Sequence, residues 1–278
     1  MNIGIVTDST CDLPDNVIDA LSIGVVPLYI NFGEESYLDG VDLKRPDFYR
    51  RLPDADPPPT TAIPGTEAFL AIYERIAASG ATRIVSIHVS SALSGVLDAA
   101  RVAARQVSIP VTVFDSGSLT LGLGFLVWEA ARLAAEGLGL DDVLSGLRSL
   151  RRRTHVCAAL DTLEFLRRSG RMNSVVAALG GLIRLKPLLK MNDGTSASEK
   201  VRTSEGAMRR LVELLQARAP VERVAIVHTH ALERARMLQQ RAGRLLDGLE
   251  VLSVDITPVL GTHLGPGAVG FACVQAKS

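Results

Sequence analysis

Short β-branched runs that close on small hydroxylated turns, each followed by a segment of helical period, constrain this chain more than any other feature. Residues 2–7 (NIGIVT) run into Asp8-Ser9-Thr10, 83–89 into Ser90-Ser91, and 111–114 into Asp115-Ser116. Helices are expected at 14–21, 45–51, 66–78, 94–107, 121–136 and 140–150, with Asp12 as a cap for the first. Strands alternating with helices predict βαβ units around a mostly parallel sheet. Ligands of such sheets sit beyond the carboxyl ends of the strands, where all three hydroxyl-rich turns fall. A further strand is expected at 25–30 and turns at 31–42, while five prolines make 53–64 a stiffened loop.

After Arg151-Arg152-Arg153 the pattern restarts. Strands are expected at 154–160, 223–227 and 251–256, helices at 204–217 and 232–246, a mixed segment at 182–191 and a turn at Asp193-Gly194. The fold class is therefore α/β in two domains, residues 1–153 with a mostly parallel sheet and a smaller α/β unit at 154–278.

Composition narrows the function. Lys+Arg and Asp+Glu both total 30, so the basic excess of a general nucleic-acid binder is missing. Aromatic residues make up only 4%, which leaves little for base stacking. One stretch is unbalanced: residues 148–202 carry 12 basic side chains against four acidic ones. Three scattered cysteines, Cys11, Cys157 and Cys273, fit buried thiols in a reducing compartment better than disulfides or a metal site. Neither a signal-peptide pattern nor an apolar run of membrane-spanning length is seen, so a cytoplasmic protein without stable membrane insertion is expected.

Several motifs carry site chemistry, each with a plainer alternative. Thr60-Thr61 can bind an anion or cap the helix that follows. Ser90-Ser91-Ala92-Leu93-Ser94-Gly95 opens a helix after a buried strand and aims hydroxyls and N–H groups at one volume, which suits a carboxylate or phosphate; Ser94 can equally be an N-cap. His263, framed by Gly261, Gly265 and Gly267, reads as a loop histidine open to close approach. Arg171 after Gly170 can fork onto a carboxylate or support a neighbouring histidine, or simply face solvent. His228-Thr229-His230 lacks the further ligands a metal needs, so no metal is expected. P-loop, nucleophile-elbow and zinc-protease motifs are absent from the sequence.

Taken in series, these pieces resemble the DegV family of bacterial fatty-acid-binding proteins. The resemblance runs the whole length: Val6-Thr7-Asp8-Ser9-Thr10-Cys11-Asp12-Leu13-Pro14, the Ser90–Gly95 segment, Ser169-Gly170-Arg171, residues 183–189 with Asp193-Gly194 after them, and Thr262-His263-Leu264-Gly265-Pro266-Gly267. It implies a DegV-like two-domain fold enclosing one long-chain fatty acid between the domains, with no cofactor. By position it assigns Thr61, Ser91 and His263 to the carboxylate, with Arg171, Ser94 and Gly95 in support. It also implies a non-catalytic subunit that presents the carboxylate to a dihydroxyacetone-kinase-like fatty acid kinase, whose acyl-phosphate product feeds phospholipid synthesis. Arg202, in the basic stretch, is then a contact for that partner.

Two departures from the family pattern stand out. Thr61-Ala62-Ile63-Pro64-Gly65 replaces Thr-Ser-Gln-Pro-Ser, and Thr203 replaces a glycine after Arg202. Two other functions compete: a lipid-binding sensor without a kinase partner, and a serine hydrolase using Ser91 with His263.

Overall fold

A computed structural model describes residues 2–172 and 186–277. The expected mixed segment at 182–191, and the 183–189 stretch of the family resemblance, therefore lie outside the described residues up to position 185. From 186 onward the chain is strand.

The N-terminal half runs β1 (Ile3–Asp8), α1 (Asp15–Ala20), β2 (Gly24–Val26), β3 (Tyr29–Phe32), β4 (Glu35–Leu38), α2 (Arg45–Arg51), β5 (Thr60–Ala62), α3 (Thr66–Ala78), β6 (Arg83–His88), α4 (Val96–Ala104), β7 (Val111–Asp115), α5 (Thr120–Ala135) and α6 (Leu140–Arg153). The chain continues through β8 (Thr154–Ala159), α7 (Glu164–Arg168), β9 (Lys186–Asn192), β10 (Thr195–Val201), α8 (Ser204–Gln216), β11 (Val221–His228), α9 (Leu232–Ala242), β12 (Val251–Asp255), α10 (Pro258–Leu264) and β13 (Val269–Gln275).

The result is a two-domain α/β fold with mixed sheet architecture. Strands β2-β1-β6-β7 form an all-parallel sheet. The C-terminal sheet, ordered β10-β9-β8-β13-β11-β12, is antiparallel except for the β11–β12 pair. A third, antiparallel sheet β4-β3-β5 lies outside both.

Several local expectations need correction. The strand expected at 25–30 is two strands in different sheets, separated by Pro27 and Leu28; proline has no N–H to continue a ladder. The turn region at 31–42 contains β4, and the proline loop contains β5, whose Thr61 pairs with Ile30. Asp193 and Gly194, both at positive φ, form the two-residue turn of the β9–β10 hairpin, which suits the twist of paired strands. Strand β13, unrecognised in the sequence, lies at the centre of the C-terminal sheet between β8 and β11.

Helix α5 explains how the halves join. Eleven of its sixteen residues are buried, so it is apolar almost all round, as a helix covered on every side must be. It packs on β1 and β6 and also on β8, β11 and β13. One core accordingly runs through both halves, with Leu121 and Leu126 sharing a cluster with Ala225, Val227 and Ala272. Arg223 of β11 completes the junction: its guanidinium donates to Glu129 at 2.6 Å and lies 5.9 Å from the Trp128 ring centre.

Two polar junctions reinforce this contact. Gly117 accepts from Gly194 N at 2.9 Å, and a Cβ on Gly117 would stand 2.6 Å from that nitrogen, so the approach requires glycine. Arg151 spans the same seam, donating to Asp115 O at 2.9 Å and pairing with Asp193 at 2.6 Å.

The second junction fixes the start of α10. Asp12 is no helix cap. Its buried carboxylate accepts from Thr257 N at 2.8 Å, Thr120 Oγ1 at 2.7 Å and Arg45 at 3.1 Å. Asp39 accepts from Ser9 Oγ at 2.7 Å and from the Thr257 hydroxyl, while its Oδ1 has no partner among the described residues. Burial pushes both carboxyls up, Asp12 to about 6 and Asp39 to about 7.

Candidate functional site

Helix α10 begins with Pro258 in its first turn, which suits a residue lacking an N–H. It carries Val259, Leu260, His263 and Leu264 onto the wall of a cavity between the halves. His263 thus sits in the last turn of a helix rather than in a loop. Gly265, at φ +71, ends that helix, and a side chain there would run into the Phe165 ring.

The cavity encloses about 1110 Å³ of space between atoms, open solvent at its mouth included. Its wall is mainly aliphatic, with Leu28, Val89 and Leu119 from one half and Val156, Leu189 and Val227 from the other.

Polar groups on the wall divide into committed and uncommitted ones. Thr10 donates to Asp8 at 2.5 Å and Thr120 to Asp12 at 2.7 Å, so those hydroxyl protons are used. Lys190 pairs with Glu199 at 2.8 Å. Thr61 Oγ1 and His263 Nε2 hydrogen-bond each other at 3.2 Å, while His263 Nδ1 is left unpartnered among the described residues. Burial, helped by the charge of Arg171, pushes His263 down to about 4, so its ring is neutral at pH 7. Arg171 follows Gly170 at φ +70, reaches the cavity, and makes no ion pair among the described residues. The Ser94 hydroxyl also has no partner among them.

The sequence candidates therefore separate. Thr61, Ser94, Arg171 and His263 line the cavity; Ser91 and Gly95 do not. Ser91 is exposed, and its hydroxyl donates to Asp115 at 2.5 Å. Ser94, three residues along the same turn, faces inward instead. The pairing of Ser91 with His263 that a hydrolase needs is not formed. Arg202 stands on an exposed bend after β10, away from the cavity wall. Thr203 beside it caps α8, accepting from Gly206 N at 2.9 Å.

Two constellations that resemble reactive sites have other uses. Asp8, His88, Ser86 and Tyr73 form a hydrogen-bonded chain with links of 3.0, 2.7 and 2.9 Å. All four are fully buried and none lines the cavity. Burial alone would raise the Asp8 carboxyl; the bond to His88, its charge and the donors of Thr10 and Val89 outweigh that and hold it below its usual range. The chain of hydrogen bonds satisfies polar groups that the core must enclose. His228 and His230 flank Asp255 at 3.5 and 3.6 Å. Among the described residues no group of three or more His, Cys, Asp or Glu side chains is arranged to hold a metal ion. Nor is any helix among them long and apolar enough to cross a membrane.

Comparison with known proteins agrees with this architecture. The family model described as "Uncharacterised protein, DegV family" matches residues 2–276. A DegV domain-containing protein of Streptomyces coelicolor is 38% identical over 274 residues, covering 97% of each chain. Among solved structures, a fatty-acid-binding DegV family protein from Thermus thermophilus superposes with a TM-score of 0.88 at 32% identity, covering 99% of this chain and 100% of its own. DegV of Bacillus subtilis, a fatty acid binding protein, gives 0.88 at 31% identity over 99% of each chain. The likeness spans almost the whole length, and the chain belongs to the DegV family.

Proposed function

We propose that this chain binds one long-chain fatty acid between its halves, 1–153 and 154–278, and holds the carboxylate at Thr61, Ser94 and His263 with Arg171 nearby. The observation that carries this reading is an aliphatic cavity whose wall brings the hydrogen-bonded pair Thr61 and His263 together with Ser94 and Arg171. About sixteen carbons, at roughly 0.8 kcal/mol per buried CH₂, supply about 10–12 kcal/mol gross, enough to outlast the cost of ordering the chain. A carboxylate leaving water needs donors, and hydroxyls with a neutral imidazole provide them without neutralising its charge. Such a head group remains a nucleophile. The relatives from Thermus thermophilus and Bacillus subtilis, both fatty acid binders, support the ligand class.

The further step is presentation of that carboxylate to a dihydroxyacetone-kinase-like fatty acid kinase, which would transfer a phosphoryl group to it and supply acyl-phosphate for phospholipid synthesis. The exposed Arg202 and the basic stretch around it suit an acidic partner surface. In this scheme the chain is the lipid-holding subunit and the phosphoryl chemistry belongs to the kinase.

The test is mass spectrometry of lipid released from the denatured protein, followed by addition of ATP and a bacterial fatty acid kinase. One equivalent of fatty acid, converted to acyl-phosphate, is expected. Thr61→Val should lower affinity about tenfold by removing one hydroxyl at nearly constant shape. Absence of any fatty acid would overturn the ligand, and bound fatty acid that several such kinases leave unphosphorylated would overturn presentation and favour a sensor.

A further inference from the structure

The cavity rim carries a residue that carboxylate binding does not call for. Ile63 lines the cavity yet is 39% exposed, and it is the one side chain common to the cavity wall and the large exposed apolar residues among those described. It stands two positions after Thr61 and reaches toward the turn that carries Ser94. A Cβ on Gly95 would lie 3.4 Å from Ile63 Cδ1, so the side chain extends over the start of α4. The rim backbone is held on both sides. Strand β5 is paired to β3, and the following Pro64 is buried and restricts Ile63 to extended conformations. The side chain can clear the mouth only by rotating, and β-branching makes χ1 stiff.

We propose that Ile63 is an apolar shutter over the mouth of the cavity, setting the rate at which the lipid enters and leaves. This rests on the fatty-acid reading above. A shutter is a barrier in both directions, so changing it moves association and dissociation together while the dissociation constant moves less. Ile63→Ala removes the branched end that spans the mouth and should speed both rates about fivefold, roughly 1 kcal/mol of barrier at 1.4 kcal/mol per decade. Ile63→Phe extends the span and should slow both.

The experiment uses the full chain, stripped of lipid, with cis-parinaric acid as the fluorescent probe. Stopped-flow mixing reads association, and displacement by excess palmitate reads dissociation. Parallel acceleration in Ile63→Ala and parallel slowing in Ile63→Phe are the expected results. Stoichiometric binding with unchanged rates in both variants would overturn the shutter. So would faster dissociation alone, which marks an ordinary equilibrium contact. A wild-type chain that gives no parinarate signal would overturn the fatty-acid reading itself, and this inference with it.

Discussion

Replacing Asp39 by asparagine removes a charge from a buried site where no cation pairs with it among the described residues. Asp39 is 3% exposed, accepts two hydroxyl hydrogen bonds on one oxygen and none on the other, and burial pushes its pKa to about 7. In the unfolded chain the carboxyl ionises near 3.8. Between those values the native state holds a proton that the unfolded state has lost, so stability falls as pH rises. Integrating the proton difference from pH 5 to pH 7 gives a loss of about 2 kcal/mol from this one group. Asp12, pushed to about 6, contributes about another 1 kcal/mol in the same sense and remains in the variant. Urea unfolding at several pH values should show wild-type stability changing, between pH 5 and pH 7, by about 2 kcal/mol more in the downward sense than that of Asp39→Asn. His155 and His263, both pushed down to about 4 by burial, act in the opposite sense and are common to the two proteins. The asparagine N–H₂ placed where Oδ1 lacks a partner costs about 1–3 kcal/mol at every pH, so the test is the slope rather than the absolute value. Parallel profiles for the two proteins would refute the assignment of a protonated, uncompensated Asp39.

Three other outcomes follow from the site and its supports. Ser94→Ala should weaken fatty-acid affinity more than Ser91→Ala, read by parinarate displacement; the opposite order would return Ser91 to the head group. Gly117→Ala places a methyl against Gly194 N at positive φ and should destabilise the protein by about 1–3 kcal/mol, visible as a lower thermal midpoint. The His263 imidazole, lowered to about 4, is neutral above that pH and gains charge only below it. Its NMR resonances should therefore show no protonation step between pH 5 and pH 8.

Much of this architecture was legible because hydrophobic period and turn chemistry agreed. The 66–78 helix matches α3, and the buried strand after Thr82 ends at His88, one residue short of the expected boundary. The misses have definable causes. Thr61 sits in a three-residue strand whose partners, Asn31 to Tyr29, lie 29 to 33 positions away, and no local pattern announces that pairing among five prolines. His263 looks like a loop residue because Gly261 precedes it, yet Gly261 packs against the Phe48 and Tyr49 rings, where a Cβ would collide. That glycine serves close packing rather than unusual backbone angles. Ser91 and Ser94 share composition and neighbourhood, and only the course of the turn decides which hydroxyl Asp115 takes. Asp12 reads as a helix cap because its true partners, Thr120 and Thr257, lie over a hundred positions away in sequence.

Helix α5 bears on what can be inherited or transplanted within this fold. Its N-terminal-half connectivity places it with the parallel sheet, but its far side is finished by β8, β11 and β13. A fragment ending at Arg153 would expose that side to water, and a fragment starting at Thr154 would lack the helix that roofs its sheet. Exchange of whole halves between relatives would therefore succeed only where the outer surface of α5 and the inner face of the recipient sheet had diverged together. The unit that evolution can move is the matched pair.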